Sequence, residues 1–88
     1  MAYTYILKCA DGTYYIGWTN NLENRINTHN QGKGAKYTRG RIPVKLVYWE
    51  EHENRSLAQK REMALRKLSR QEKENLINKY SNIRKNIF

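Results

Sequence analysis

Apolar and polar positions change period several times along the chain, and each change marks an element. Tyr3 to Lys8 and Thr13 to Trp18 are rich in β-branched and aromatic residues, and Cys9-Ala10-Asp11-Gly12 between them carries an Asp-Gly turn signal. The two runs therefore predict a β-hairpin. Its register decides which tyrosines share a face, because a slip of one residue sends every second side chain to the other side. A two-residue loop at Asp11-Gly12 would pair Lys8 with Tyr15 and put Tyr5 and Tyr15 on opposite faces. A three-residue loop, with a type I turn at Ala10-Asp11 and Gly12 left-handed, pairs Cys9 with Thr13, Leu7 with Tyr15, Ile6 with Ile16 and Tyr5 with Gly17. The second register is preferred: it matches isoleucine to isoleucine and sets a glycine opposite a tyrosine, where the missing side chain leaves room for the ring.

Helical periods follow. Asn20 suits an N-cap with Glu23 three residues on, and Gly32 suits the position past a helix end, so residues 21–31 are predicted helical. Leu22, Ile26 and His29 fall on one stripe, and Arg25 lies about 60° from Leu22 on the wheel. Arg25 and His29 thus share or border the buried face. Gly32 to Pro43 is Gly-rich and basic and reads as a loop. Val44 to Trp49 is the third strand, with Val44, Leu46 and Tyr48 alternating against Lys45, Val47 and Trp49. Residues 56–68 form a helix striped by Leu57, Ala58, Ala64, Leu65 and Leu68. Ser69, with Glu72 in the capping-box place, starts a last helix over Arg70 to Tyr80. Residues 81–88 read as a frayed tail. The order ββαβαα predicts an α+β fold: one domain over 1–80, with a small three-stranded, mostly antiparallel sheet flanked by helices.

Size and charge narrow the function. Eighty-eight residues leave room for one core and no second catalytic module. Seventeen Lys and Arg against eight Asp and Glu give a formal charge of +9, which points to an anionic partner, nucleic acid first. Seven Tyr and two Trp exclude a disordered basic tail. The single Cys9 excludes an internal disulfide and a thiolate zinc cluster, which fits a reducing compartment. No apolar run approaches the ~20 residues needed to span a bilayer, and Met1-Ala2 leads into a strand rather than a signal peptide. The expectation is a cytoplasmic protein with no membrane partner, monomeric by default.

No Ser-His-Asp set and no Walker-type loop stands in the sequence. The unusual features are tyrosines on paired strands, an Arg and a His one helical turn apart, and a lone Glu in a basic helix. Tyr3-Thr4-Tyr5, then Tyr15-Ile16-Gly17, then Asn21-Leu22 and Arg25 resemble the core of a GIY-YIG nuclease domain. The resemblance is closest to the small stand-alone members of the UPF0213 type, in which a segment like Gly32-Lys33-Gly34-Ala35-Lys36-Tyr37-Thr38 precedes the third strand. It covers about residues 3–75. It implies metal-dependent hydrolysis of a nucleic-acid phosphodiester, with DNA expected ahead of RNA as the substrate and one Mg²⁺ or Mn²⁺ as the cofactor. Carried across, Tyr5 and Tyr15 match the tyrosines of the two motifs, Arg25 and His29 the first-helix arginine and the residue a turn after it, and Glu62 the carboxylate that holds the cation. Tyr3 departs from the glycine usual in the first motif. Asn75 is the nearest counterpart of an Asn found in many relatives, but no tight motif fixes it and it is left out.

These roles are chemically coherent. A tyrosine, with a free pKa of roughly 10, becomes a base if nearby positive charge stabilises its phenolate. Arg25 and the cation would supply that charge, and Arg25 offers a planar fork to phosphate oxygens. A single Glu suits Mg²⁺, which keeps waters and a substrate phosphate in its shell. Glu62 falls about 40° beyond Ala58, at the edge of the stripe.

Blander readings stand beside each role. Tyr5 and Tyr15 pack in strands anyway, His29 is as readily a hydrogen-bonded core histidine as a proton-transfer group, and Glu62 can pair with Arg66 or Arg55. Lys33 to Lys45 holds five basic residues and no acid. Lys33, Lys36, Tyr37, Arg39 and Arg41 are expected to position phosphates rather than to read bases. Trp18 and Trp49 are expected to pack, and His52 with Glu50, Glu51 and Glu53 to face water. The alternatives to an enzyme are a non-catalytic nucleic-acid-binding module and a scaffold for an acidic protein. With no appended recognition domain, weak sequence preference or a targeting protein partner is expected.

Overall fold

A computed structural model of the chain describes residues 1–85. Strand β1 (Ala2–Lys8) lies between β2 (Tyr14–Thr19) and β3 (Lys45–His52), antiparallel to both. Helices α1 (Leu22–Asn30) and α2 (Lys36–Arg39) separate β2 from β3, and α3 (Arg55–Arg66) and α4 (Arg70–Lys85) follow. The α+β class and three-stranded antiparallel sheet are as expected. The segment 32–43, expected as a loop throughout, contains the short helix α2. Helix α4 runs to Lys85 rather than Tyr80, and residues 86–88 of the expected tail lie outside the described residues. Among the described residues no helix is long and apolar enough to cross a membrane.

Turn chemistry sets the hairpin. Cys9 N donates to Thr13 O (2.8 Å), Gly12 N donates to Cys9 O (2.9 Å), and Gly12 sits at φ 85°, the left-handed region that favours glycine. Asp11 closes the loop by accepting from Thr13 N and Oγ1. Tyr5 therefore stands opposite Gly17, Ile6 opposite Ile16 and Leu7 opposite Tyr15, the preferred register.

Central β1 is covered on both sides, which is why Thr4 to Leu7 is a continuous buried run. Ile6 packs with Ile16, Tyr48, Leu65 and Ile77 beneath α3 and α4, while Tyr5, Leu7, Cys9 and Val44 form the layer with Leu22 and Ile26 of α1. The expected alternation of β3 fails. Ile6 pairs with Tyr48 but Leu7 with Leu46, so Val47 is an extra residue in a bulge. Val44 and Leu46 consequently pack on the α1 side and Tyr48 on the other.

Helix starts follow side-chain caps. Asn21, one residue later than expected, accepts from Asn24 N (3.1 Å), and Asn54 caps α3 through Leu57 N (3.0 Å). Ser69 and Glu72 bond reciprocally, at 3.0 and 3.1 Å, in the expected capping box. The inner face of α3 differs from the expected stripe: Ala58 and Leu65 are buried, Arg61 and Glu62 half-buried, and Leu57 and Ala64 exposed. Two charged residues at i, i+1 thus turn inward where apolar spacing put Leu57 and Ala64. Thr4 Oγ1 ties the helix to the sheet by donating to Ala58 O at 2.8 Å.

Candidate active site

The hairpin register puts Tyr5 and Tyr15 on one face, under α1. Tyr5 is 1% exposed, and its ring passes over Gly17. A Cβ at Gly17 would stand 2.6 Å from Tyr5 Oη and 2.8 Å from Cζ, so the strand needs glycine there for the phenol to reach across. At the far side the phenol meets α1: Tyr5 Oη lies 3.1 Å from His29 Nε2. Tyr15 leans on the same imidazole, with ring centroids 5.2 Å apart, and 6.4 Å from the Tyr5 ring.

His29 is fully buried, and its second nitrogen, Nδ1, lies 2.7 Å from Thr38 Oγ1. Burial, and then the charge of Arg25, press the imidazole down to about 4. It is therefore neutral at pH 7, a donor at one nitrogen and an acceptor at the other. Half-buried Arg25, a turn before His29, lies beside both phenols, and its interaction with the Tyr5 hydroxyl holds it above its ordinary range.

Burial pushes the Tyr5 phenol up to about 12, Arg25 opposes the rise, and Tyr15 and Glu62 add to it. This departs from the expected phenolate: enclosure outweighs the guanidinium, so the resting group is a phenol. It also places Glu62 within electrostatic reach of Tyr5 although it arises from α3. The Glu62 side chain is 16% exposed, and its Oε1 lies 3.5 Å from Arg66, the i+4 pair anticipated as its blander role. Tyr5, Tyr15, Arg25 and His29 thus stand together on the α1 side of the sheet, and Glu62 acts on Tyr5 through its charge.

The basic segment is less uniform. Lys33 and Lys36 project outward. Tyr37, 40% exposed, stacks on Tyr15 with centroids 6.1 Å apart. Arg41 is already engaged: Nε donates to Asp11 Oδ2 (2.9 Å), an NH donates to Tyr37 O (2.7 Å), and the guanidinium covers the Tyr37 ring at 4.1 Å. Arg39 Nε donates to Gly34 O at 3.4 Å. A cavity of about 270 Å³ opens beside Tyr15 and Tyr37, with Arg66 and Lys73 on its wall, and one of about 390 Å³ lies beside Arg25.

Some of this was not anticipated. Thr38 and Gly34 bear on His29, yet both fall in the segment assigned to phosphate contact; the available signal was that Gly34 and Thr38 are small, uncharged residues four apart in a basic run. Glu50 is 19% exposed, held by Arg61 Nε at 2.9 Å and by the Tyr48 hydroxyl, with His52 Nε2 3.2 Å away. It does not face water as a strand-end acid was expected to. Asn75 is exposed on α4 and accepts from Gln71.

Among the described residues no three His, Cys, Asp or Glu side chains gather as a metal cluster. Glu62 is a hard oxygen donor whose ion-pair partner is exposed Arg66, which fits a Mg²⁺-type ion that takes few protein ligands.

Residues 1–75 match the family described as the GIY-YIG catalytic domain. A UPF0213 protein of Clostridium perfringens is 60% identical over 81 residues, 92% of this chain and 87% of its own length. A UPF0213 protein of Natronomonas pharaonis is 51% identical over 75 residues, 85% of this chain and 88% of its own. The solution NMR structure of a UPF0213 protein from Bacillus halodurans superposes with a TM-score of 0.57 at 44% identity, covering 89% of this chain and 84% of that one. These likenesses support nuclease-like function and contact with nucleic acid in general terms.

Proposed function

Since the chain belongs to the GIY-YIG family, we propose that it is a cytoplasmic endonuclease that hydrolyses phosphodiester bonds of nucleic acid, DNA in preference to RNA, with one Mg²⁺ or Mn²⁺. The observation that carries this reading is the buried Tyr5–His29 contact, with Arg25 beside the phenol. It supplies what the reaction needs: a proton acceptor for the attacking water and a fixed positive charge where phosphate charge grows.

Tyr5 is a relay rather than a preformed phenolate. As a water oxygen attacks phosphorus, its O–H bond breaks and that proton passes to Tyr5 Oη, while the phenol's own proton passes to His29 Nε2. The new P–O bond forms, the bond to the leaving oxygen breaks, and that oxygen is protonated from solvent. Arg25 binds the non-bridging oxygens, Tyr15 orients Arg25 and His29, and Glu62 would hold the cation. When bound there, the ion's chemistry is to neutralise charge on the phosphate. Lys33, Lys36, Tyr37 and Arg39 line the strand's path, and Arg41 acts by holding Tyr37.

The test is nicking of supercoiled plasmid and cleavage of branched and single-stranded DNA and RNA, with Mg²⁺ present or omitted. Glu62→Ala and Arg25→Ala are expected to abolish cleavage while salt-dependent binding persists. Cleavage that survives both substitutions rejects the site; binding without cleavage by the unsubstituted protein favours a non-catalytic module.

A further inference from the structure

His29 has two nitrogens, and the relay works only if Nε2 is the bare one. The segment Gly34 to Thr38, between α1 and β3, bears directly on that choice. Thr38 is buried, and its Oγ1 lies 2.7 Å from His29 Nδ1 and 3.0 Å from Ala35 O. Gly34 lies against the ring: a Cβ there would overlap Nδ1 and stand 2.7 Å from Cγ. Only glycine lets the chain pass so close that Thr38 reaches the imidazole.

Proton counting fixes the direction of the chain of contacts. Ala35 O can only accept, and Arg25 beside Tyr5 can only donate. If Nδ1 carries the hydrogen, Tyr5 O–H points to Nε2, Nδ1–H points to Thr38 Oγ1, and Thr38 O–H points to Ala35 O, so each proton has an acceptor. In the opposite tautomer Thr38 donates to Nδ1 and Nε2–H donates to Tyr5. The buried phenol oxygen would then face two donors, and its own proton would have no acceptor among these groups. Leaving a buried donor unmade is the costly outcome, so the Nδ1–H arrangement is favoured.

We infer that Thr38 is a positioning residue: its hydroxyl, brought against the ring by Gly34 and oriented by the Ala35 carbonyl, holds His29 in the Nδ1–H tautomer and leaves Nε2 free to take the Tyr5 proton. The inference deepens the hydrolytic reading and rests on it for its consequence in catalysis, but the tautomer is observable without any substrate. It assigns to the Gly34-Ala35-Lys36-Tyr37-Thr38 segment a role inside the reaction centre as well as at the phosphate backbone.

The experiment uses the full chain labelled with ¹⁵N-histidine and long-range ¹H–¹⁵N correlation at pH 7, with His52→Gln to assign the second histidine. The expected spectrum shows His29 with a proton-bearing Nδ1 and a bare Nε2. Thr38→Val keeps the shape and removes the acceptor; the ring is expected to shift toward the Nε2–H form, and kcat to fall about 10²-fold, the scale of losing acid–base assistance, with KM for nucleic acid unchanged. Thr38→Ser, which keeps the oxygen, is expected to keep the Nδ1–H form and recover most of the rate. An Nε2–H tautomer in the unsubstituted protein overturns the inference. So does a Thr38→Val protein that keeps both tautomer and kcat, or a Thr38→Ser protein that behaves as Thr38→Val. If the unsubstituted protein cuts nothing, the hydrolytic reading fails, and the NMR arms still decide the tautomer.

Discussion

Gly17→Ala is the sharpest perturbation of the reaction centre that introduces no charge and removes no functional group. The new Cβ would lie 2.6 Å from Tyr5 Oη, 2.8 Å from Cζ and 3.1 Å from Tyr15 Cε2. Ordinary contact begins at 3.4 Å, so the Tyr5 oxygen must retreat by about 0.8 Å, or the strand must move. Tyr5 has little space to retreat into, being 1% exposed and packed with Leu7, Cys9 and Val44. Overpacking of this kind costs about 1–3 kcal/mol of stability. The same displacement acts on the 3.1 Å contact with His29 Nε2, and a misplacement of about 1 Å at a reacting group lowers rate by about 10²-fold.

Urea unfolding and single-turnover cleavage on one preparation separate the two effects. The control is Gly12→Ala, where the added Cβ meets nothing within 4 Å but φ is 85°, so backbone strain lowers stability while kcat stays unchanged. Gly17→Ala is expected to lose both stability and kcat when rates are normalised to folded protein. A Gly17→Ala protein that cleaves at the unsubstituted rate would refute the claim that Tyr5 must cross Gly17 to act.

Other measurements probe separate parts of the site. Glu62→Gln keeps the shape of the side chain and removes the charge; it should abolish metal-dependent cleavage and leave nucleic-acid binding within a few-fold, and retained cleavage would remove Glu62 from the metal role. For pH, the sign follows from His29, whose pKa falls from 6.5 to about 4 on folding. The unfolded chain binds the extra proton between those values, so stability is fully present above about 6.5 and declines as pH falls toward 4, by about 3 kcal/mol in all. His29→Gln should flatten that slope in urea unfolding between pH 4 and 7, and an unchanged slope would contradict burial of the neutral ring. Lys36→Ala should lower the slope of log affinity against log salt by roughly 1 without changing kcat. Arg41→Ala should instead free Tyr37 and raise the urea sensitivity of the 32–43 segment, as seen by Tyr37 fluorine labelling; equal effects of the two substitutions on the salt slope would deny the distinction.

Features readable in the sequence were those whose determinants are local. The hairpin register follows from four residues, Cys9 to Gly12, and once it is known Tyr5 and Tyr15 must share a face. Arg25 and His29 are related by one helical turn, which no tertiary contact needs to establish. The Ser69–Glu72 box likewise lies within one turn. Where a partner from elsewhere decides the conformation, periodicity misled. The bulge at Val47 exists because β3 must pair with β1 on both sides of the Ile6–Leu7 step, and nothing within Val44 to Trp49 signals it. On α3, inward placement of Arg61 and Glu62 makes sense only against Glu50 on β3 and the charge field around Tyr5.

The same division explains why charge was the least informative guide to the 33–45 segment. Counted in sequence, its cations are equivalent and all appear available to phosphate. In space Arg41 is committed to Asp11 and the Tyr37 ring, while Lys33 and Lys36 project outward. The residues of that segment nearest the reaction centre, Gly34 and Thr38, are uncharged and have no role that composition could reveal. Thr38 touches His29 across nine positions of chain, and Gly34 matters through an atom it lacks. A run of basic residues can therefore carry two functions at once: cations whose effect on binding falls with salt, and a small-residue contact whose effect on a buried proton does not, because no ion reaches it.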